Sequence, residues 1–143
     1  MTKRSLYALV LGCSRLGAFI ANRLSEKGHS VVVIDEDEAS FLLLDRNFSG
    51  FKIEGNPVET AVLHQAKIHK ADIVIATTRD DNINIMCAQI ARIIFKVPRV
   101  ISRIFDPSLN DFNLLKDIET ICPTTLTGDL MIKTILDEDK DIQ

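Results

Sequence analysis

The stretch Leu9-Val10-Leu11-Gly12-Cys13-Ser14-Arg15-Leu16-Gly17 decides the fold. An apolar run leads directly into a turn bounded by two glycines, and a helical pattern follows. Gly12 permits the tight reversal, and Gly17 lets the helix approach a sheet closely. This strand, turn and helix order places a helix N-terminus around the phosphates of a nucleotide. Ser14 replaces the middle glycine of the GxGxxG fingerprint, so it either crowds a bound pyrophosphate or donates a hydrogen bond to it.

Short apolar runs alternate with helical patterns along the whole chain. The predicted strands are residues 6–11, 30–34, 51–54, 72–76, 99–103 and 120–122. The predicted helices are residues 16–27, 37–46, 59–66, 81–95, 109–116 and 126–136. Strands this apolar are usually buried on both faces by crossover helices. We therefore predict an α/β, Rossmann-like, doubly wound and mainly parallel sheet of six strands, in the order 3-2-1-4-5-6, followed by a C-terminal crossover helix.

Composition and charge restrict the class of protein. The 143 residues, 46% hydrophobic and 26% charged, fit one globular domain. A net charge of −3 without a basic run argues against nucleic acid as a partner. Three widely spaced cysteines form neither a disulfide framework nor a CxxC metal site. We predict a nucleotide-binding domain over residues 1–124, and an amphipathic helix with an acidic tail over residues 125–143.

An acidic run follows the second predicted strand, about 20 residues beyond the glycine turn. Asp35 ends that strand, where it is placed to accept hydrogen bonds from ribose hydroxyls, and Glu36 stands beside it. Because a carboxylate repels a 2′-phosphate, NADP is disfavoured relative to NAD or a simple adenine nucleotide. Arg15 is the only base inside the glycine turn and is placed to contact phosphates.

Polar residues also follow the other predicted strands. Gly55-Asn56 follows the third strand, Thr77-Thr78 follows the fourth, and Arg103 ends the fifth. Each has a structural alternative, respectively a turn, a helix cap and a surface ion pair. Because the carboxyl ends of parallel strands share one edge, together they predict a binding site there.

These motifs, taken in order, resemble a known family. They are Gly12-Cys13-Ser14-Arg15-Leu16-Gly17, Val33-Ile34-Asp35, Gly55-Asn56, Ala71-Asp72, the TxxDxxN set of Thr78, Asp81 and Asn84, and Pro98-Arg99-Val100-Ile101-Ser102-Arg103. The set resembles the RCK or KTN domain, the TrkA N-terminal-like nucleotide-binding domain of potassium uptake and channel regulators. The resemblance runs from Leu6 to about Leu136.

The resemblance implies which residues bind a nucleotide. The glycine turn would hold the phosphates, and the acids after the second strand would bind the ribose. The polar residue after the third strand would contact the adenine, and those after the fourth strand would lie at the mouth of the site. Arg103 would lie near the phosphates or at a subunit contact. The implied set is Gly12, Cys13, Ser14, Arg15, Leu16, Gly17, Asp35, Glu36, Asn56, Thr77, Thr78 and Arg103. Asn56 departs from the family's usual aspartate.

The resemblance also implies a role. Such domains bind NAD(H) or ATP, ADP and AMP without turning them over, so no enzyme is expected. The implied protein is a cytoplasmic regulatory subunit at the inner face of the cell membrane. It forms a homodimer or larger ring and gates an integral-membrane potassium-translocating subunit. The smaller C-terminal ligand domain of many relatives is not expected in this sequence, and the last helix either packs on a neighbouring subunit or folds back on its own sheet.

The main alternative is an NAD-dependent oxidoreductase or its cofactor-binding domain. A YxxxK pair is impossible because the only tyrosine, Tyr7, lies in the first predicted strand. His29, His64 and His69 all fall away from the predicted ligand edge. A redox sensor built on Cys13 is a further alternative, since a helix N-terminus lowers a thiol pKa, although small-residue packing explains that position more simply. A P-loop NTPase is excluded because the GK[ST] ending is absent.

Overall fold

A computed structural model describes residues 4–111 and 116–137. Its centre is one six-stranded sheet in the order β3-β2-β1-β4-β5-β6, and every strand pair is parallel. The strands are β1 (Tyr7–Leu11), β2 (Ser30–Asp35), β3 (Phe51–Glu54), β4 (Ile73–Ala76), β5 (Arg99–Arg103) and β6 (Glu119–Ile121). The predicted fold class and strand order are confirmed.

Helices cover both faces of the sheet. The α-helices are α1 (Arg15–Glu26), α2 (Thr60–Gln65), α3 (Asp81–Gln89) and α4 (Pro123–Ile135), and α3 continues into a π-helical turn, Ile90–Ile94. Three 3₁₀ segments, Glu38–Leu43, Ile68–Lys70 and Pro107–Asp111, complete the described elements.

Strand residues alternate between two apolar layers, as the period of a β-strand requires. Leu9 and Val32 face the layer under α2 and α3, whereas Val10 and Val33 face the layer under α1. Ala18 and Ala21 bring α1 close to the sheet because both are small and buried. The central strands β1, β2 and β4 are largely buried between helices on both sides. Because every strand pair is parallel, all carboxyl ends emerge at one edge.

One predicted helix is wrong in type, and a second differs from the prediction in its described first residues. Residues 37–46 contain the 3₁₀ segment Glu38–Leu43. Phe41 within it and Leu44, its C-cap, reach the core, while Leu42 is 87% exposed. Residues three apart stand above one another in a 3₁₀ helix, so this spacing suits it better than an α-helix. In the predicted helix 109–116, Pro107–Asp111 is 3₁₀, and residues 112–115 lie outside the described residues.

The last helix, α4, does not fold back over its own sheet. It begins at Pro123, earlier than predicted, because proline is favourable in the first helical turn. None of its residues is buried. Across residues 4–111 and 116–137, no helix combines the length and the apolar character that crossing a membrane requires.

Candidate functional site

A crevice of about 240 Å³ opens at the carboxyl edge of the sheet. It lies where the strand order reverses between β1 and β4, which is where open α/β sheets bind ligands. Its lining comes from the glycine turn, the segment after β2, the start of the β3–α2 connection and the segment after β4. The lining residues are Gly12, Cys13, Ser14, Asp35, Glu36, Asp37, Ser40, Pro57, Thr78, Arg79, Asp80 and Ile83.

The glycines of the turn are required by packing. Gly12 has φ +103°, and a Cβ there would lie 2.6 Å from the backbone nitrogen of Thr78. A Cβ at Gly17 would lie 2.7 Å from Thr77 Oγ1 and would also collide with the Gly12 carbonyl. The turn after β1 is therefore pressed against the end of β4, and Gly12 lines the crevice.

Ser14 joins the start of α1 to the end of β4. Its hydroxyl accepts a hydrogen bond from the Gly17 N–H at 3.1 Å, which caps α1, and donates to the Thr77 carbonyl at 2.7 Å. The side chain is only 5% exposed. Because its proton goes to Thr77, the Ser14 hydroxyl is engaged within the fold rather than offered to a phosphate.

Asp35 links the glycine turn to the acidic side of the crevice. One carboxylate oxygen accepts the Cys13 N–H at 2.8 Å, and the other accepts the Asp37 N–H at 2.8 Å. A carboxylate has about four acceptor positions, so two remain for ribose hydroxyls. Asp35 is therefore held in one orientation at the end of β2 and keeps capacity for a ligand.

Arg103 lies beneath the edge and does not line the crevice. Its Nη2 donates to the carbonyls of Thr77 at 3.1 Å and Thr78 at 2.8 Å, and to Ser14 Oγ at 3.3 Å. The guanidinium carbon stands 4.4 Å from the ring centroid of Phe105. Burial, together with the charge of Arg79, lowers the pKa of Arg103. The structural alternative for Arg103, a surface ion pair, is wrong, because this arginine is 8% exposed and ties β5 to the end of β4.

The TxxDxxN residues build the segment after β4. Asn84 is fully buried; its Oδ1 accepts from the N–H and hydroxyl of Thr78, and its Nδ2 donates to the Thr78 and Arg103 carbonyls. Asp81 accepts the N–H groups of Phe105 and the residue after it. Asp80 caps α3 through the N–H groups of its first turn. The motif fixes the backbone that carries Thr78 and Arg79 into the crevice.

Charge is divided unequally across the crevice. Asp35, Glu36 and Asp37 line the β2 side, whereas Arg79 lines the β4 side together with Asp80, whose carboxylate caps α3. Burial, and next the charge of Asp35, raise the pKa of the Cys13 thiol to about 11. The thiol is therefore protonated near neutral pH, which favours packing over a redox role.

Comparison with known proteins assigns the family. The model of the TrkA-N domain matches residues 8–120. The chain belongs to the TrkA-N domain family. Among curated relatives, the Trk system potassium uptake protein TrkA of Streptomyces coelicolor is 34% identical over 131 residues, covering 92% of this chain and 59% of the relative. A TrkA homolog from Pyrococcus abyssi is 26% identical, covering 92% and 60%. The chain thus spans about three fifths of the length of each of these two relatives.

Solved structures share the fold at lower identity. The TrkA-N domain of the inner membrane protein YbaL from Escherichia coli has a TM-score of 0.77 at 18% identity, covering 94% of this chain and 99% of that one. GsuK bound to ADP has a TM-score of 0.76 at 18% identity, covering 91% and 34%. The AMP-bound Kef C-terminal domain from Shewanella denitrificans has a TM-score of 0.75 at 15% identity, covering 90% and 79%.

The TrkA-N fold brings half of the predicted site residues together. Those that line the crevice are Gly12, Cys13, Ser14, Asp35, Glu36 and Thr78, and those that do not are Arg15, Leu16, Gly17, Asn56, Thr77 and Arg103. Arg15 is exposed beside Ser14, Thr77 donates to the Gly12 carbonyl, and the Asn56 side chain accepts the Val58 N–H in a turn. Nucleotide contact by each residue stays a prediction.

Part of the lining does not belong to the predicted site set, namely Asp37, Ser40, Pro57, Arg79, Asp80 and Ile83. Arg79 directly follows the predicted Thr77-Thr78 pair, so its position at the end of β4 was a usable signal. Ser40 gave none, since it reaches the crevice only because residues 37–46 form a 3₁₀ turn rather than the predicted helix.

Proposed function

We propose that this TrkA-N domain binds an adenine nucleotide in the crevice and transmits its presence to a membrane potassium-translocating subunit. The crevice at the β1/β4 switch point carries the proposal, since it joins a glycine turn, a helix N-terminus and an oriented carboxylate. Its relatives include proteins named for potassium uptake by the Trk system. Structural neighbours include the GsuK channel bound to NAD, GsuK bound to ADP and an AMP-bound Kef domain.

The three carboxylates on the β2 side of the crevice orient the nucleotide. Ribose hydroxyls donate to Asp35, whose carboxylate is already fixed by the Cys13 and Asp37 N–H groups. Phosphates lie toward the N-terminus of α1 and the cation of Arg79. NADP is disfavoured because its 2′-phosphate would meet three acidic side chains on the β2 side of the crevice, including Glu36.

The proposed domain binds its nucleotide without turning it over. Among the described residues that line the crevice there is no histidine, lysine or tyrosine, and the Cys13 thiol stays protonated near neutral pH. Histidine, lysine, tyrosine and cysteine side chains commonly donate the proton that accompanies hydride transfer. The arrangement therefore supports binding rather than hydride transfer.

Regulation requires that nucleotides bind two states of the protein unequally. Arg15 is exposed next to Ser14 at the start of α1, and Arg79 is exposed across the crevice. Neither forms an ion pair with another described residue. Both are free to close on additional phosphates, so ATP, ADP and AMP would favour the closed arrangement to different extents.

The proposed assembly is a homodimer or larger ring, at the inner face of the cell membrane beneath the potassium-translocating subunit. The exposed apolar side chains of α4, with no buried residue in the helix, provide a surface for a neighbouring subunit. A cytoplasmic location follows from the proposed role.

Calorimetric titration of the full chain with ATP, ADP, AMP, NAD and NADH tests the proposal. We expect Kd values below about 1 mM for at least one of them. Arg79→Gln should weaken ATP binding about tenfold while affecting AMP less, because a charge-assisted contact to the outer phosphates is lost. Arg46→Gln is the matched control, since Arg46 is exposed and does not line the crevice.

Asp35→Asn should weaken every ribose-bearing ligand, with Asp45→Asn as its control outside the crevice. Circular dichroism checks that the Asp35 variant retains its fold, since this carboxylate also holds the glycine turn. The proposal fails if none of the five nucleotides binds. Reduction of bound NAD by a substrate would instead establish the oxidoreductase alternative.

A further inference from the structure

Strand β3 forms one end of the sheet, away from the crevice. Within the described residues it has a neighbouring strand, β2, on one side only. The Gly55 N–H donates to the Asp35 carbonyl of β2 at 2.9 Å. Because backbone groups alternate in direction along a strand, those of Phe51 and Ile53 also face β2, and those of Lys52 and Glu54 face outward. The outer edge of β3 thus presents two N–H and two C=O groups to another strand.

A groove flanks β3 on each face of the sheet. The lysine groove, on the α2 side, has a volume of about 540 Å³ and is defined by Tyr7, Val32, Phe51, Ile53, Lys67 and Lys70. The leucine groove, on the opposite side, has a volume of about 380 Å³ and is defined by Glu38, Phe41, Leu42, Lys52 and Glu54. Lys52 also lines the lysine groove, so the two grooves meet across the same short strand.

The lysine groove is open because α2 has only six residues, about 9 Å of helix, and leaves the start of β3 uncovered. Phe51 is consequently 73% exposed, and Leu42 on the other face is 87% exposed. Large apolar side chains this exposed on both faces of an edge strand mark an interaction surface.

The charge of the lysine groove selects its partner. Two cations, Lys67 and Lys70, belong to this face, since strand alternation puts the Lys52 side chain on the leucine-groove side, and no described lining residue is acidic, although the whole chain has a net charge of −3. Neither Lys67 nor Lys70 forms an ion pair with a residue in the described ranges. The groove therefore attracts carboxylates whose methylene groups can cover the exposed ring of Phe51.

We propose that β3 accepts an extended segment of a partner polypeptide as a seventh strand. Side chains of an added strand alternate between the two faces, so glutamate-like residues enter the lysine groove and aliphatic residues cover Leu42 in the leucine groove. The partner is a segment of alternating acidic and apolar residues. The inference does not rest on the proposed nucleotide function, because no residue of β3 lines the crevice.

The test uses a labelled ten-residue peptide of alternating valine and glutamate, capped at both ends, and the full chain. Fluorescence anisotropy should show saturable binding that weakens as salt is raised. A matched peptide with lysine in place of glutamate should bind at least about tenfold more weakly, because its cations face Lys67 and Lys70. Equal binding of the two peptides overturns the proposal, as does the absence of binding.

Hydrogen exchange locates the contact. Bound peptide should slow exchange at the Lys52 and Glu54 amides, which face outward, whereas the Phe51 and Ile53 amides, which face β2, should change little. Protection confined to other parts of the chain, such as α4, would overturn the proposal. This measurement uses the unaltered chain and holds even if a variant fails to fold.

Two sets of variants separate backbone pairing from charge. Glu54→Pro removes one outward N–H, which proline tolerates on an edge strand, and should weaken peptide binding at least about fivefold. Glu54→Gln keeps that N–H and should bind like the unaltered chain; equal affinities for the two variants would contradict strand addition.

The lysine variants test the groove itself. Lys67→Gly with Lys70→Gln should weaken binding about tenfold and reduce its salt dependence. Glycine suits residue 67 because the backbone there has φ 58°. Lys133→Gln on α4 is the control, since Lys133 is exposed and lies outside the groove. Equal losses in the double variant and the control would exclude the lysine groove as the contact.

Discussion

Ser14 occupies the place of a fingerprint glycine, yet it has its own structural task. Its hydroxyl caps α1 and donates to the Thr77 carbonyl in a buried setting. Ser14→Ala should therefore lower the free energy of unfolding by about 2 kcal/mol, through the lost cap and the lost buried bond. Ser40→Ala should change it by less than about 0.5 kcal/mol, because the Ser40 hydroxyl has no hydrogen-bond partner in the described ranges. Urea unfolding followed by circular dichroism compares the two, and equal effects would contradict the role of Ser14.

Cys13 should make stability depend on pH in the alkaline range. Burial raises the pKa of its thiol from the usual 9.0 to about 11 in the folded chain. Below pH 9 both states keep the proton, so the contribution of this group is fully present. Between pH 9 and 11 only the unfolded state ionises, and the contribution is lost as pH rises. The free energy of unfolding, obtained from urea titrations, should fall more steeply with pH for the unaltered chain than for Cys13→Ala, by about 2 kcal/mol at pH 11; parallel curves would contradict this.

How far single residues could be predicted depends on whether a local pattern determines their contacts. Gly12 and Asp35 follow from the strand and turn pattern, and both lie at the crevice. Arg103 was predicted at the correct edge, but its inward direction depends on carbonyls of β4, which are distant in sequence. Arg79 was missed because a basic residue in a short connection carries no periodic signal. Local patterns thus determine position, whereas long-range packing determines direction.

The turn between β1 and α1 tolerates no side chain at its second glycine. Gly17→Ala would place a methyl group on the Gly12 carbonyl and the Thr77 hydroxyl, so it should lower the free energy of unfolding by about 2–3 kcal/mol. Gly128 in α4 has open space around its Cβ position, and Gly128→Ala should raise stability by about 0.5–1 kcal/mol. Thermal unfolding of both variants checks the pair. A neutral Gly17→Ala would mean that the turn does not press on β4.

Elements were predicted best where a strong period met a clear boundary. The apolar strands and α1 were found within a few residues, since glycines and helix caps delimit them. The 37–46 region was wrong because its continuous leucines fit a 3₁₀ turn as well as an α-helix. Residues 81–95 are predicted as one α-helix, but they include the π-helical turn Ile90–Ile94. Residue propensities do not distinguish such a turn from an α-helix. The lysine groove is open because α2 is too short to cover the start of β3. Predicting that α2 is a helix does not predict this, since the groove depends on its length.

The exposed face of α4 predicts the state of the whole molecule in solution. Leu130 and Ile135 are 63% and 68% exposed, and Leu126, Met131, Ile132 and Leu136 are also exposed. A lone chain would leave this apolar area in water, so a second copy should cover it. Light scattering after size exclusion, at about 1 to 100 µM protein, should give a dimer or larger ring.

Leu130→Glu with Ile135→Glu should give a monomer that keeps its fold, since no residue of α4 is buried. Thr127→Glu, an exposed position on the same helix, should remain assembled. A monomeric unaltered chain at the highest concentration would show that α4 meets a different partner, and equal mass for both variants would place the interface elsewhere.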